Sequence, residues 1–237
     1  MLILALDASG KTAGAALVSE ERVIAEFTIN NGYTHSRTLM PLTGRVFDMS
    51  GISPAEIDLI ACTSGPGSFT GLRIGAAAAM GLAAGLSKDL VEIPTLDALA
   101  YNVFKTDSPG KGYVMAIMDA RRDQLYASVY SYANGVLARE TEYIADSVDT
   151  VIAAARSLGD DITVVGDGVF PHRERLITEG FVIAPVCHML QRPASVGALA
   201  LTGAYKAVKP DAFKLLYLRK PQAERELEAR SEARGNG

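Results

Sequence analysis

A chain of 237 residues, 49% of them hydrophobic and 21% charged, is long enough to bury one large core or two modest ones. Its 23 Lys and Arg against 27 Asp and Glu leave a net charge of −4, so no overall basic field grips a phosphate backbone, and nucleic acid as sole, direct partner is disfavoured. Neither Cys62 nor Cys187 has a neighbouring cysteine, which argues against a zinc knuckle and against a disulfide framework.

The opening, Met1-Leu2-Ile3-Leu4-Ala5-Leu6-Asp7, reads as a strand over 2–7 and not as a leader, because it has neither a basic start nor a cleavage site. A cytoplasmic protein is expected. Strands over 13–19 and 22–29 follow a Ser-Gly-Lys-Thr turn, and residues 36–49 keep helical spacing despite Pro41. Ser53-Pro54-Ala55-Glu56 is a capping box with proline at the first helical position. A strand over 59–63, a helix over 70–86, a strand over 90–93 and a helix over 95–104 complete a first set. The charge-free run from Ile74 to Leu86 is too short for the roughly 20 apolar residues of a membrane span.

Asp107-Ser108-Pro109-Gly110-Lys111-Gly112 is the strongest turn signal in the chain, and beyond it the order starts again. Strands are predicted over 113–119, 124–131 and 136–143, a helix over 147–158, a strand over 162–165, a short helix over 171–178, a strand over 181–184 and a helix over 195–206. Asp7-Ala8 stands eight residues before Ala15, and Asp119-Ala120 eight residues before Ala127. The division expected is therefore a first half over 1–106, a second over 107–218, and a charged tail over 219–237 that is a solvated helix end or disordered. A duplicated βββαβαβα unit is the plan of the α/β actin-like (ASKHA, ribonuclease H-like) folds, a likeness of topology that does not fix function.

Working members of that fold hold ATP between hairpins rich in glycine and hydroxyls, whose N–H and O–H groups approach the phosphates. The first hairpin here, Asp7-Ala8-Ser9-Gly10-Lys11-Thr12, meets that need. The second, Asp119-Ala120-Arg121-Arg122-Asp123-Gln124, has no glycine and no hydroxyl, and its aspartates stand beside its arginines. Gly166-Asp167-Gly168 is similar to the nucleotide-side loop, though it reads equally as a plain turn. His35, His172 and His188 lack a His or Cys at i+3 or i+4, so no metal site is legible. His35 reads as a cap or surface residue. Ser64 and Ser68 have no base near in sequence, and a serine there caps a helix more readily than it attacks a substrate. No catalytic, cofactor or metal residue is assigned.

The segment Ser64-Gly65-Pro66-Gly67-Ser68-Phe69-Thr70-Gly71-Leu72-Arg73-Ile74-Gly75 joins a glycine turn to a helix with almost no polar face. The turn alone reads as an anion site. The helix must be covered all round. In helix 36–49, Leu39, Leu42, Val46 and Met49 form one stripe while Met40 and Phe47 lie on another side. Two helices with apolar surface to spare either bury it against each other or dock a second protein. Leu39, Met40, Phe47, Leu72, Gly75, Ala79, Leu82 and Leu86 are the interface candidates. Replacing Ala79 with arginine is expected to abolish partner binding and leave the chain folded.

That glycine segment, the opening Leu-Ala-Leu-Asp7, His35-Ser36, Met118-Asp119-Ala120-Arg121-Arg122-Asp123 and Leu216-Tyr217-Leu218-Arg219 together closely resemble the TsaB (YeaZ) family, from the first strand to about Arg219. The resemblance implies an actin-like scaffold without catalytic activity. It also implies a role in threonylcarbamoyl transfer to N6 of the adenosine just 3′ of the anticodon in ANN-decoding tRNAs. Further implications are a helix-on-helix heterodimer with the catalytic TsaD, assembly with the ATPase TsaE, a homodimer when alone, and contact with tRNA only through the complex. Where TsaD carries a metal-binding His-x-x-x-His, this chain reads Thr95-Leu96-Asp97-Ala98-Leu99-Ala100-Tyr101. An ATP-dependent kinase or hydrolase led by Asp7 and Asp119, and a glycoprotease-like peptidase, are the rival readings.

Overall fold

Helices cover both faces of the first sheet, which is why its central strands are apolar without alternation. The computed structural model describes residues 1–103, 112–133 and 136–219. The expected break falls outside these residues apart from Gly112, as do the end of the predicted helix over 95–104 and the tail beyond Arg219. The first sheet holds Leu2–Asp7 (β1), Ala13–Ser19 (β2), Val23–Ile29 (β3), Leu59–Gly65 (β4) and Asp89–Pro94 (β5) in the order β5-β4-β1-β2-β3. β1 runs antiparallel to β2 and parallel to β4, and β4 runs parallel to β5.

The second sheet repeats this plan. Gly112–Asp119 (β6), Gln124–Ala133 (β7), Val136–Arg139 (β8), Ile144–Ser147 (β9), Ile162–Val165 (β10) and Val182–Ile183 (β11) run in the order β11-β10-β6-β7-β8, with β9 also on β7. The duplicated ribonuclease H-like α/β architecture expected from the sequence is therefore present, with one local correction. The single strand expected over 136–143 is two short ones. Thr141 interrupts the ladder, because its Oγ1 accepts the Val129 N–H at 3.0 Å while the Glu140 and Thr141 N–H groups both donate to the Val129 carbonyl.

His35–Ser50 (α1) and Phe69–Leu86 (α2) pack on one face of the first sheet, where Leu39, Val46, Ala76, Ala79 and Ala83 join Leu4, Leu6 and Ile60 in a core. Thr95–Tyr101 (α3) lies between the sheets. Its Leu96, Leu99 and Ala100 enter the core of the second sheet, while Ala98 joins that of the first. Val148–Arg156 (α4) and Val169–Thr178 (α5) cover the second sheet. Pro193–Leu201 (α6) then returns to the first, and Val196, Leu199 and Ala200 pack on Ile3, Ala5 and Val91. The helix expected over 195–206 ends early because Gly203, at φ 73°, takes the left-handed conformation that stops a helix. The chain released there adds Ala207–Val208 (β12) antiparallel to β5, a two-residue strand too short to leave a sequence signal.

α2 is longer than the charge-free run suggested. At 18 residues it is long and apolar enough to cross a membrane, which corrects the expectation from length. Here its Gly71, Leu72, Gly75, Ala76, Ala79 and Ala83 are buried on the chain's own sheet.

Candidate functional site

The two halves face each other across a cleft of about 570 Å³ at the carboxyl ends of β1, β4, β6 and β10. Ligands of open α/β sheets enter at such strand ends. Asp7 ends β1 and is 1% exposed. Its Oδ1 accepts from the Ser9 N–H (2.8 Å), the Ser9 hydroxyl (2.7 Å) and the Thr63 hydroxyl (3.2 Å), while Oδ2 has no partner among the described residues. Burial raises the carboxyl above its usual range, against the lowering effect of these hydrogen bonds.

The glycine loop is built by contact with this hairpin. A Cβ on Gly67 would collide with the Ser9 carbonyl, and one on Gly71 with the Ala8 carbonyl. The Ser68 N–H donates to the Ser9 carbonyl at 2.7 Å, and its hydroxyl accepts the Gly71 N–H at 3.3 Å as the N-cap of α2. At Gly65, φ is 120°, and a Cβ would strike the Leu216 carbonyl. Glycine is thus required by backbone against backbone. His35 is the first residue of α1, and its Nε2 lies 2.9 Å from the Gly10 carbonyl, so the ring holds the hairpin. The segment ending at Arg219 lines the cleft. Its Leu216 N–H donates to the Ser64 carbonyl (2.7 Å), and the Tyr217 ring lies 5.0 Å from Phe69.

Across the cleft, Arg121, Arg122 and Asp123 take φ of 63°, 57° and 56°, three consecutive left-handed residues without a glycine. The Arg121 N–H donates to Asp119 Oδ1 (2.7 Å), and the Asp119 N–H to Asp167 Oδ1 (3.2 Å). Burial raises the Asp167 carboxyl; Lys11, with Nζ 4.0 Å from its Oδ2, opposes this and spans the cleft. Among the described residues, no group of three His, Cys, Asp or Glu could hold a metal.

The interface candidates separate into two sets. Leu39, Leu72, Gly75 and Ala79 face the sheet and are buried in the chain's own core. Met40 is 45% exposed, and Phe47, Leu82 and Leu86 are half-buried. The expectation that Ala79→Arg leaves the chain folded is thereby corrected, since Ala79 is wholly buried. The outward stripe of α2 is Thr70, Arg73, Ala77, Gly81 and Ala84. A Cβ added at Gly81, Gly85 or Gly44 of α1 would meet nothing among the described residues.

Sequence reasoning missed the polar ties between halves. Asp97 of α3 accepts hydroxyls from Tyr130 (2.6 Å), Tyr143 (2.8 Å) and Tyr205 (2.9 Å). Asn102 Nδ2 donates to the His188 and Leu190 carbonyls at 2.9 and 2.7 Å. No local signal announces partners this far apart in sequence.

A doubled ribonuclease H-like fold with a cleft between its halves defines the actin-like class. The family model described as TsaD, tRNA N6-adenosine threonylcarbamoyltransferase, matches residues 22–229. The Bacillus subtilis tRNA threonylcarbamoyladenosine biosynthesis protein TsaB is 38% identical over 58% of this chain and 58% of its own length. The Escherichia coli K12 TsaB is 30% identical over 71% of this chain and 72% of its own. The match thus spans little more than half of the Bacillus relative and nearly three quarters of the Escherichia one. A Pseudomonas aeruginosa crystal structure, described as an uncharacterized protein with similarity to peptidase YEAZ, superposes with a TM-score of 0.76 at 25% identity, covering 92% of this chain and 99% of that one. The chain belongs to the TsaB (YeaZ) family.

Proposed function

We propose that this chain is a non-catalytic subunit for threonylcarbamoyl transfer to N6 of the adenosine just 3′ of the anticodon. It acts by docking on the catalytic subunit TsaD through α1 and α2, with TsaE joining the assembly and tRNA met only through the complex. Alone, the chain forms a homodimer by the same face. The reading places the protein in the cytoplasm, with residues 1–106 as the partner-binding half and 107–218 as the second. Its support is the family, whose curated relatives are named for this biosynthesis.

One observation carries the docking surface. Gly44, Gly81 and Gly85 sit in exposed helical positions where a Cβ would meet nothing among the described residues. Each such glycine costs about 0.5–1 kcal/mol relative to alanine. The chain's own packing gives no return for that cost, whereas a second helix approaching closely does. Met40 at 45% and Met49 at 70% exposure add adaptable apolar surface beside them. Leu82, Leu86 and Phe47 form its half-buried floor, and Leu39, Leu72, Gly75 and Ala79 support it from the core. The non-catalytic part of the reading rests on the second hairpin, which offers two arginines in a left-handed turn where a phosphate grip uses glycine and hydroxyls.

The test is co-purification with TsaD, followed by tRNA modification with and without this chain. Modification is expected only when both are present, and the pure chain is expected to turn over neither ATP nor peptide. Full modification without this chain, or turnover by the chain alone, would overturn the reading.

A further inference from the structure

The charges of α1 and α2 run against those of the chain that carries them. The two helices hold three arginines, Arg37, Arg45 and Arg73, against one carboxylate, Asp48. That is a net of +2 on a chain whose own balance is −4. All four residues are exposed. By helical spacing Arg37, Gly44 and Asp48 share one face of α1, and Arg73, Ala77, Gly81 and Ala84 share one face of α2. The charges therefore stand beside the glycines that leave room for a second helix.

Asp48 is already engaged by Arg45, whose Nη1 lies 3.9 Å from its Oδ2. The other two arginines meet no carboxylate among the described residues. The Arg37 guanidinium lies 5.6 Å from the centre of the Tyr33 ring, and that of Arg73 lies 3.9 Å from the centre of the Phe69 ring. Arg73 Nε also donates to the Tyr217 hydroxyl at 3.4 Å. Stacking on a ring holds a guanidinium in place and leaves its charge uncompensated. Any surface that covers these helices takes both cations out of water, and a cation desolvated without a counter-charge opposes binding. A second copy brings the same +2 to the contact, and its α2 has no carboxylate to offer. Like charges then face each other across a two-fold contact. A different chain with an acidic face removes that conflict.

We propose, resting on the reading that these helices dock TsaD, that they select a partner face bearing carboxylates, which pair with Arg37 and Arg73. The same two arginines weaken self-association. Apolar surface and glycines permit either contact; the charges choose between them.

Arg73→Glu separates the two contacts, because it turns the helix pair from +2 to neutral. The position is exposed, so the full chain should stay folded, which melting curves check. Affinity for purified TsaD, read by calorimetry at about 0.1 M salt, is expected to fall at least about tenfold. Self-association, read by analytical ultracentrifugation, is expected to strengthen about threefold or more. Salt should act on the parent with the same opposed signs. At about 1 M the screening length drops from ~10 Å to ~3 Å, so the heterodimer weakens while the homodimer tightens. Should Arg73→Glu not fold, Arg37→Glu takes its place, in a first turn of α1 that has no acidic residue and where negative charge suits the helix dipole. Ala77→Arg, which crowds the same face, tests the docking reading itself. Loss of TsaD by Ala77→Arg with parent-like affinity in the glutamate variant would overturn the proposal and leave that reading standing. Parent-like affinity in both variants would overturn both. A glutamate variant without stronger self-association, or a heterodimer indifferent to salt, would also overturn the proposal, since stacking or fold support alone predicts these.

Discussion

Among the described residues, Asp7 accepts three hydrogen bonds on one carboxylate oxygen and none on the other, and it is buried from solvent. Its folded-state pKa is raised, so it contributes stability below the unfolded value of 3.8 that is lost as pH rises through the folded value. Asp7→Asn keeps the accepting oxygen and removes the charge. The variant should melt at a higher temperature than the parent at pH 7, by about 1–3 kcal/mol of stability, with the gain vanishing toward pH 4. Melting curves across that range check it, and a variant less stable at pH 7 would refute it. Asp97 is the opposite case, with both oxygens engaged by three phenols. Burial first, and the Asp97 charge second, raise the Tyr130, Tyr143 and Tyr205 hydroxyls well above the usual phenol range. Raised folded-state values mean that their contribution is complete below about pH 10 and lost above it. Tyrosinate absorbance from these three should therefore appear only together with alkaline unfolding, and ionisation in the folded chain near pH 10 would contradict the geometry.

At the scale of elements, α2 shows how far a sequence pattern reaches. Its lack of charge was legible, and with it the surplus of apolar surface. Which residues form that surface was not, because a helix apolar all round gives no periodicity to orient it. Packing on β4 turned Gly75 and Ala79 inward and left Ala77, Gly81 and Ala84 outward. Ala79→Arg should consequently unfold the chain, because Ala79 is wholly buried, while Ala77→Arg should melt as the parent does and lose TsaD in a pull-down. Gly81→Ala and Gly85→Ala offer a sharper contrast. Each should stabilise the isolated chain by about 0.5–1 kcal/mol and weaken the complex. A glycine kept only for close approach has both effects; one of no consequence for docking has only the first.

At the scale of the whole molecule, the halves are tied by more than a linker. α6 leaves the second sheet to pack on the first, β12 pairs with β5, and Asp97, Asn102 and Glu26 each bond across sequence separations of 33 residues or more. Calorimetry should show one cooperative unfolding transition despite the two sheets. Two resolved transitions would mean that these ties are marginal. Tyr130→Phe, removing one donor from the buried carboxylate, should lower that single transition by about 1–3 kcal/mol of stability without splitting it.

Strand order, the repeat of two halves and the family signature were written in local patterns: apolar runs, turn residues and a glycine segment, each set by its own few neighbours. The sequence by itself also showed that the second hairpin lacks the glycines and hydroxyls of a phosphate grip. Only the tertiary structure decided which face of α2 meets solvent, why the loop glycines are needed, and where Asp7 and Asp97 find or lack partners. Those outcomes depend on contacts between residues far apart in the chain, and neither composition nor periodicity encodes which distant backbone arrives.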